Sequence, residues 1–167
     1  MIANTDRKSG SLVIRKSINE SLNELTQQEL EHIEHIIRSI KRSKDGDFHY
    51  FGRSLGINIE NENRVTMDLG LQNANKYGVA QGGAVYTLAD VALGYKIISA
   101  LAKTEERKVL TIELKVNFIK QGKGSKLYAD PVILHQGKTT VVGQCMIVDD
   151  ENDLVAVGLG TFFAGNK

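Results

Sequence analysis

Between residues 75 and 90 the sequence gathers groups that can act on a carbonyl: the amide of Asn75, the run Gln81-Gly82-Gly83 and the acid Asp90. Acyl transfer needs donors aimed at the oxygen where charge develops, and a base or nucleophile at the carbon. A glycine pair at a helix start offers unpaired backbone N–H groups and the positive end of the helix dipole, and lets a ligand approach closely. A tight loop-to-helix turn with no ligand has the same composition. Asp90 is the only acid in an apolar stretch, with Leu88, Ala89, Val91 and Ala92 around it. Burying an unpaired carboxylate is costly, so it needs either hydrogen-bond partners or a function. Asn75 can orient water or a carbonyl, or simply shape a turn.

The spacing adds a geometric constraint. Asp90 lies eight positions after Gly82, which on one helix is about 12 Å at 1.5 Å per residue. One carbonyl cannot easily touch both from the same chain. If both act on one substrate, two subunits with antiparallel helices must supply them.

The elements that would position these groups follow from periodicity. Two oxygen-bearing cap patterns, Ser17-Ile18-Asn19-Glu20 and Thr26-Gln27-Gln28-Glu29, predict a short helix and then a longer one. The second carries Leu30, Ile33, Ile36, Ile37 and Ile40 on one face and should end near Lys44-Asp45-Gly46. The first dozen residues read as polar and frayed. The period then drops to two: Leu55, Ile57 and Ile59, a turn at Asn61-Glu62-Asn63, then Val65, Met67 and Leu69 predict a hairpin. A polar loop, Gln72 to Ala80, leads into a helix from Gly83 to about Ala102 that is apolar on most faces, hence buried. Four strands complete the chain: Leu110 to Phe118 with clean alternation, Leu127 to Leu134, Thr139 to Val148 and Leu154 to Phe163. Short turns between them imply antiparallel neighbours, and Pro131 suggests an edge or a bulge. The order is that of an α+β hotdog fold, an antiparallel sheet wrapped around one long central helix, with extra N-terminal helices. We expect a helical extension over residues 1–45 and the hotdog domain over 46–167.

Composition narrows the classes. A chain of 167 residues with net charge +1 suits one core and offers no field for nucleic acid or an anionic membrane. The helix lacks an uninterrupted apolar run long enough to span a membrane, and the N-terminus lacks a signal-type apolar stretch, making the cytoplasm the default compartment. One cysteine, Cys145, excludes an intrachain disulfide, and its apolar strand neighbours read as a buried structural thiol. His32 and His35 are three apart on a helix, but nothing nearby completes a metal site. Asp149 to Asp153 lacks calcium-loop spacing and reads as a hairpin turn. No metal and no cofactor are expected.

The stretch from Asn75 through Gly78, Gln81-Gly82-Gly83 and Leu88 to Asp90 resembles the signature of hotdog acyl-CoA thioesterases of the phenylacetate-degradation type, roughly N-x-x-G-x-x-H-G-G-x-x-x-x-L-x-D. Thr111 to Phe118 looks like that family's long strand, Gly137-Lys138 like its glycine-basic turn, and Leu154 to Phe162 like its closing strand. The resemblance spans roughly residues 46 to 165. It implies hydrolysis of small acyl- or aryl-CoA thioesters at a dimer-interface site. The Gly82 N–H would polarise the carbonyl, with Gly83 beside it, and Asp90 of the partner would act as base or nucleophile. Asn75 and Gln81 would assist, Thr111 would face the carboxylate, and Lys138 would meet CoA phosphates. A homodimer or a dimer of dimers is implied. Gln81 departs from the pattern, which usually has histidine there; its amide can donate but cannot titrate near neutrality. Two rivals share the fold. A non-catalytic acyl-CoA sensor would need a DNA-binding module, for which the N-terminal segment is about one helix short. A dehydratase or hydratase would need a site histidine, and none lies between residues 75 and 90.

Overall fold

The computed structural model of the chain describes residues 5–44, 50–102 and 107–166. Three helices come first: α1 (Thr5–Leu22), α2 (Gln27–Arg42) and the short α3 (Tyr50–Ser54). Strands β1 (Ile57–Asn61) and β2 (Arg64–Asp68) form the hairpin, then α4 (Gly82–Leu101) precedes β3 (Arg107–Phe118), β4 (Lys126–Gln136), β5 (Thr140–Asp149) and β6 (Leu154–Asn166). The strands form one antiparallel sheet in the order β1-β2-β4-β5-β6-β3. This is the expected α+β hotdog architecture.

The Thr26 box forms as expected: Thr26 Oγ1 accepts from Glu29 N–H at 3.4 Å, and Thr26 N–H donates to Glu29 Oε2 at 2.8 Å. The Ser17 pattern does not cap a helix. Helix α1 already runs from Thr5, so Ser17 lies mid-helix, and of the dozen residues expected to fray those from Thr5 on are helical. No proline interrupts residues 5–22, and a cap pattern stops a helix only where the chain upstream refuses to continue it. Helix α2 ends at Arg42 with Ser43 as cap; Gly46 and His49 lie outside the described residues. Helix α3 was not anticipated, because five residues are too few to display a helical period; it takes Leu55 out of the strand, which begins at Ile57.

Helix α4 has the length and hydropathy to cross a bilayer, yet Leu88, Ala89, Ala92, Leu93 and Ile97 are fully buried in the core it shares with Met67, Leu127, Val141, Cys145, Ile147 and Phe162. Each of the leucine, isoleucine, valine, methionine and phenylalanine side chains contributes about 1.5–3 kcal/mol by leaving water. Glycines on the helix-facing side of the sheet let α4 sit close. A Cβ at Gly143 would stand 2.7 Å from Leu93 Cδ2, and one at Gly158 would be 3.3 Å from Ala89 Cβ.

Pro131 is in β4, an interior strand, but β2 pairs β4 only as far as Ala129, so β4 has a free edge from there on. Strand β3 closes the sheet with β6 on one side only. Its alternation is broken by a bulge between Thr111 and Glu113, where Ile112 has no partner across the ladder. Before the bulge Val109 packs on the core, and after it Leu114 and Val116 do, while Leu110 and Ile112 stand 50% and 59% exposed. Clean alternation from Leu110 to Phe118 is therefore corrected. The inserted residue exchanges the faces of the strand.

Candidate active site

The loop before α4 is rigidly built around two asparagines. Asn73 is buried; its amide donates to the carbonyls of Leu55 and Asp68, both at 2.8 Å, and its Oδ1 accepts from Gly70 N–H at 3.2 Å. Its own carbonyl accepts from Gln81 N–H at 2.8 Å. Asn75 closes the next turn: Oδ1 accepts from Tyr77 N–H at 2.8 Å and Val79 N–H at 3.4 Å. Its backbone N–H donates to Val79 O at 2.8 Å, and its carbonyl accepts from Gly78 N–H at 2.9 Å. Gly78 has φ +75°, which a side chain would strain. Both carbonyls of Asn75 are thus committed to the loop, and its NH₂ has no partner among the described residues.

This loop delivers Gln81 to the N-cap of α4 with φ −66° and ψ 140°. The Gln81 carbonyl accepts from Ala84 and Val85 N–H at 2.9 and 3.2 Å, while its side chain makes no capping bond. The N–H groups of Gly82 and Gly83 have no partner among the described residues, and both residues are exposed. A Cβ at Gly82 would lie 3.4 Å from the Phe118 ring, whereas one at Gly83 would meet nothing within 4 Å. Two free donors at a positive helix end are groups that can stabilise a developing negative charge.

Two turns further along α4, Asp90 is half-buried and its Oδ1 accepts from Thr111 Oγ1 at 2.7 Å. Simple alternation would have left Thr111 an ordinary strand residue; the bulge at Ile112 keeps it on the helix side with Val109. Asp90 Oδ2 has no partner among the described residues, so one oxygen is oriented and the other is available to water or a carbonyl carbon. Tyr86, one turn earlier, donates from its hydroxyl to Leu114 O at 2.6 Å. Tyr86 and Asp90 therefore fasten α4 to the edge strand β3. Along the same side of α4 run Gly83, Thr87, Asp90, Gly94 and Ile98, all half-buried or exposed, an accessible stripe of mostly small residues.

Lys138 is exposed in the β4–β5 turn, where its carbonyl accepts from Arg107 Nη1 at 2.9 Å. Arg107 opens β3, four residues from Thr111, or about 13 Å along the strand. The structure thus brings Asp90 to Thr111 and groups Asn75, Gln81, Gly82 and Gly83 at the helix start. Lys138 stands apart from both.

The discounted residues have structural work. His35 Nε2 donates to Ser54 O at 3.0 Å. Burial, with Asp130 nearby, pushes the Cys145 thiol up to about 12, so it stays protonated. In the β5–β6 turn, Asp149 accepts from the N–H groups of Glu151, Asp153 and Lys123 at 3.1, 3.0 and 3.2 Å. Burial pushes its carboxyl up, but these bonds and the Lys120 charge outweigh that and hold it below the usual carboxylate range. Asn73 and Tyr86 were missed by sequence reasoning. Nothing in an isolated asparagine or tyrosine states that its partners are distant backbone carbonyls.

Comparison with known proteins places the fold and the family. Residues 77–156 match the profile of the Thioesterase superfamily. "Putative esterase VNG_1336C" of Halobacterium salinarum is 32% identical over 121 residues, which are 65% of this chain and 80% of that protein. Escherichia coli YigI, a medium/long-chain acyl-CoA thioesterase, is 23% identical over 132 residues, 69% of this chain and 85% of its own length. The crystal structure of BH2602 from Bacillus halodurans with CoA superposes with a TM-score of 0.80 at 25% identity, over 89% of this chain and 98% of that one. That span exceeds residues 46–167, so the likeness reaches into the N-terminal helices.

Proposed function

Since this chain belongs to the hotdog-fold thioesterase superfamily and is a thioester hydrolase, we propose that it cleaves small acyl- or aryl-CoA thioesters at a site composed by two copies of itself. In this reading the Gly82 N–H of one copy, with Gly83 beside it, polarises the thioester carbonyl. Asp90 of the partner activates water or attacks the carbonyl carbon, and Thr111 holds that carboxylate in place. Gln81 offers an amide donor at the same helix start, and the NH₂ of Asn75 faces the substrate. The observation that carries the reading is the separation of two complementary half-sites on one helix: free donors at its first turn, and an oriented carboxylate about 12 Å further on.

Two features support the second copy. Strand β3 is a long edge strand with no neighbour on its outer side and with Leu110 and Ile112 exposed. Such an edge is a template for pairing with another chain. The small residues Gly83, Thr87 and Gly94 flanking Asp90 let another helix approach closely, and antiparallel packing brings Asp90 of one copy towards Gly82 of the other. The outer sheet face also exposes Val132, Leu134, Met146 and Leu159, an apolar surface suited to packing two dimers back to back. Acyl-CoA as substrate is supported by the CoA bound in BH2602 and by the name of YigI. Lys138, whose carbonyl accepts from Arg107 four residues before Thr111 on β3, is exposed and suits contact with CoA phosphates near the surface.

The test is hydrolysis of an acyl-CoA panel by wild type and Asp90→Asn, followed through release of free CoA thiol. Wild type should turn over at least one acyl-CoA, and the variant should lose on the order of a hundredfold or more. Equal rates in the two proteins would defeat the reading.

A further inference from the structure

A cavity adjoins Gln81 and Gly83 at the start of α4. It holds about 280 Å³ and lies between α3 and the start of α4, bounded by Phe51, Leu55, Ala74, Ala84, Gln81 and Gly83, with Gln72 and Asn73 behind. The polar groups at the back are turned to the protein's own backbone. Both amide hydrogens of Asn73 go to Leu55 O and Asp68 O, and Gln72 Nε2 donates to Asp68 O at 2.9 Å. What remains to face a ligand is largely Phe51, Leu55 and the two alanine methyls. Phe51 is 58% exposed, so a large apolar ring stands over this space in contact with water.

We propose that this cavity is the acyl-chain subsite of the thioester, that Phe51 and Leu55 set the chain length accepted, and that α2 is the buttress that holds them there. The inference rests on the thioesterase reading above, because a carbonyl seated on the Gly82 and Gly83 N–H groups places its acyl substituent beside Gly83, on the cavity wall. The occupant is a neutral, apolar chain or ring; a charged acyl group would find no free counter-charge among the residues bounding this space. At about 30 Å³ per heavy-atom-sized unit, the volume takes roughly nine such units, an octanoyl chain or a small aryl group. Helix α3 is too short to hold itself. The buried Ser39 of α2 holds its hydroxyl 3.1 Å from Arg53 O and 2.9 Å from His35 O of its own helix, one proton shared between the two carbonyls, and His35 Nε2 donates to Ser54 O. Helix α2 thus acquires a role: it positions the specificity wall.

Calorimetric titration with thioether S-alkyl-CoA ligands, which cannot be hydrolysed, reads the subsite without turnover. Affinity of the wild-type protein should rise from ethyl through butyl to octyl and gain little more at dodecyl and hexadecyl. Phe51→Ala should lower the octyl-to-ethyl affinity ratio about tenfold, from the lost apolar contact, and Phe51→Leu should restore most of it. Ser39→Ala should lower the same ratio, which a purely stabilising serine would not do at temperatures well below melting. An octyl-to-ethyl ratio unchanged in Phe51→Ala, in protein with native circular dichroism, overturns the inference. If acyl-CoA hydrolysis proceeds while the ratio stays unmoved, this inference alone fails. If alkyl-CoA binds with the expected chain dependence but no acyl-CoA is hydrolysed, the thioesterase reading alone fails. Absence of any alkyl-CoA binding overturns both.

Discussion

Gly82→Pro removes one N–H from the helix start and little else. Proline is favoured at the first helical position, where its missing donor has no intrahelical acceptor to lose. The preceding residue must be extended, and Gln81 already has ψ 140°. The Gly82 N–H has no partner among the described residues, so no internal bond breaks. A Cβ there meets the Phe118 ring at 3.4 Å, an ordinary contact. Folding should therefore be unharmed, or gain about 0.4–1 kcal/mol from a stiffer unfolded chain. Catalysis should suffer if that N–H holds the developing oxyanion: losing one such donor costs about 10²–10³ in kcat, or roughly 2.7–4 kcal/mol. Gly82→Ala is the control, since it adds the same Cβ and keeps the N–H. Rates are read as CoA-thiol release on the best acyl-CoA, and folding as thermal melting. A folded proline variant within tenfold of the alanine variant refutes the oxyanion assignment. The same variant tests the shared site. Co-expressed with Asp90→Asn, half the dimers formed at random are mixed, and each has one intact pair of half-sites. About a quarter of wild-type activity should return from two nearly inactive parents. Mixed dimers confirmed by mass but without recovered activity would refute the two-subunit arrangement.

Three other outcomes follow from local geometry. Thr111→Val keeps the strand shape but removes the bond to Asp90 Oδ1; kcat should fall about tenfold, as for a lost hydrogen bond to a charged group, with the melting temperature nearly unchanged. Gly143→Ala places a methyl 2.7 Å from Leu93 Cδ2, and Leu93 is fully buried, so denaturant titration should show a loss of about 1–3 kcal/mol; an unchanged midpoint would mean that α4 can lift from the sheet without cost. Asp149 and Asp150 both have carboxyls held below the usual range. For Asp149, burial acts upward but is outweighed by backbone N–H donors; for Asp150 the Ser125 backbone and hydroxyl bonds lead. A depressed folded value means their stabilisation is complete above the ordinary carboxylate range and is lost as pH falls through the folded values. Melting temperature should accordingly drop below about pH 4, and Asp149→Asn should flatten that acid limb while lowering stability at neutral pH.

The candidate site was legible in the sequence to the extent that it is local. Gln81-Gly82-Gly83 and Asp90 lie on one helix, so spacing alone gives their separation, and the chemistry of each group can be read from its type. Hydrophobic periods located all six strands and the buried helix because burial imposes those periods directly. What stayed hidden depends on pairing across the sheet. The sequence Leu110-Thr111-Ile112-Glu113-Leu114 alternates without a flaw, and nothing in it announces that Ile112 will have no partner on β6. The reason lies in the neighbour: Thr111 pairs with Phe162 and Glu113 with Thr161, so two steps on β3 meet one on β6. That single mismatch keeps Thr111 on the helix side, against Asp90, and strands Leu110 and Ile112 on the outside of an edge strand. The Asp90–Thr111 hydrogen bond and the exposed edge of β3 thus have one cause. It follows that removing Ile112 should do two things together: turn Thr111 away from Asp90 and alter the edge on which a partner would pair. Loss of activity with an unchanged oligomeric state would separate the two and show that the bulge serves the site alone.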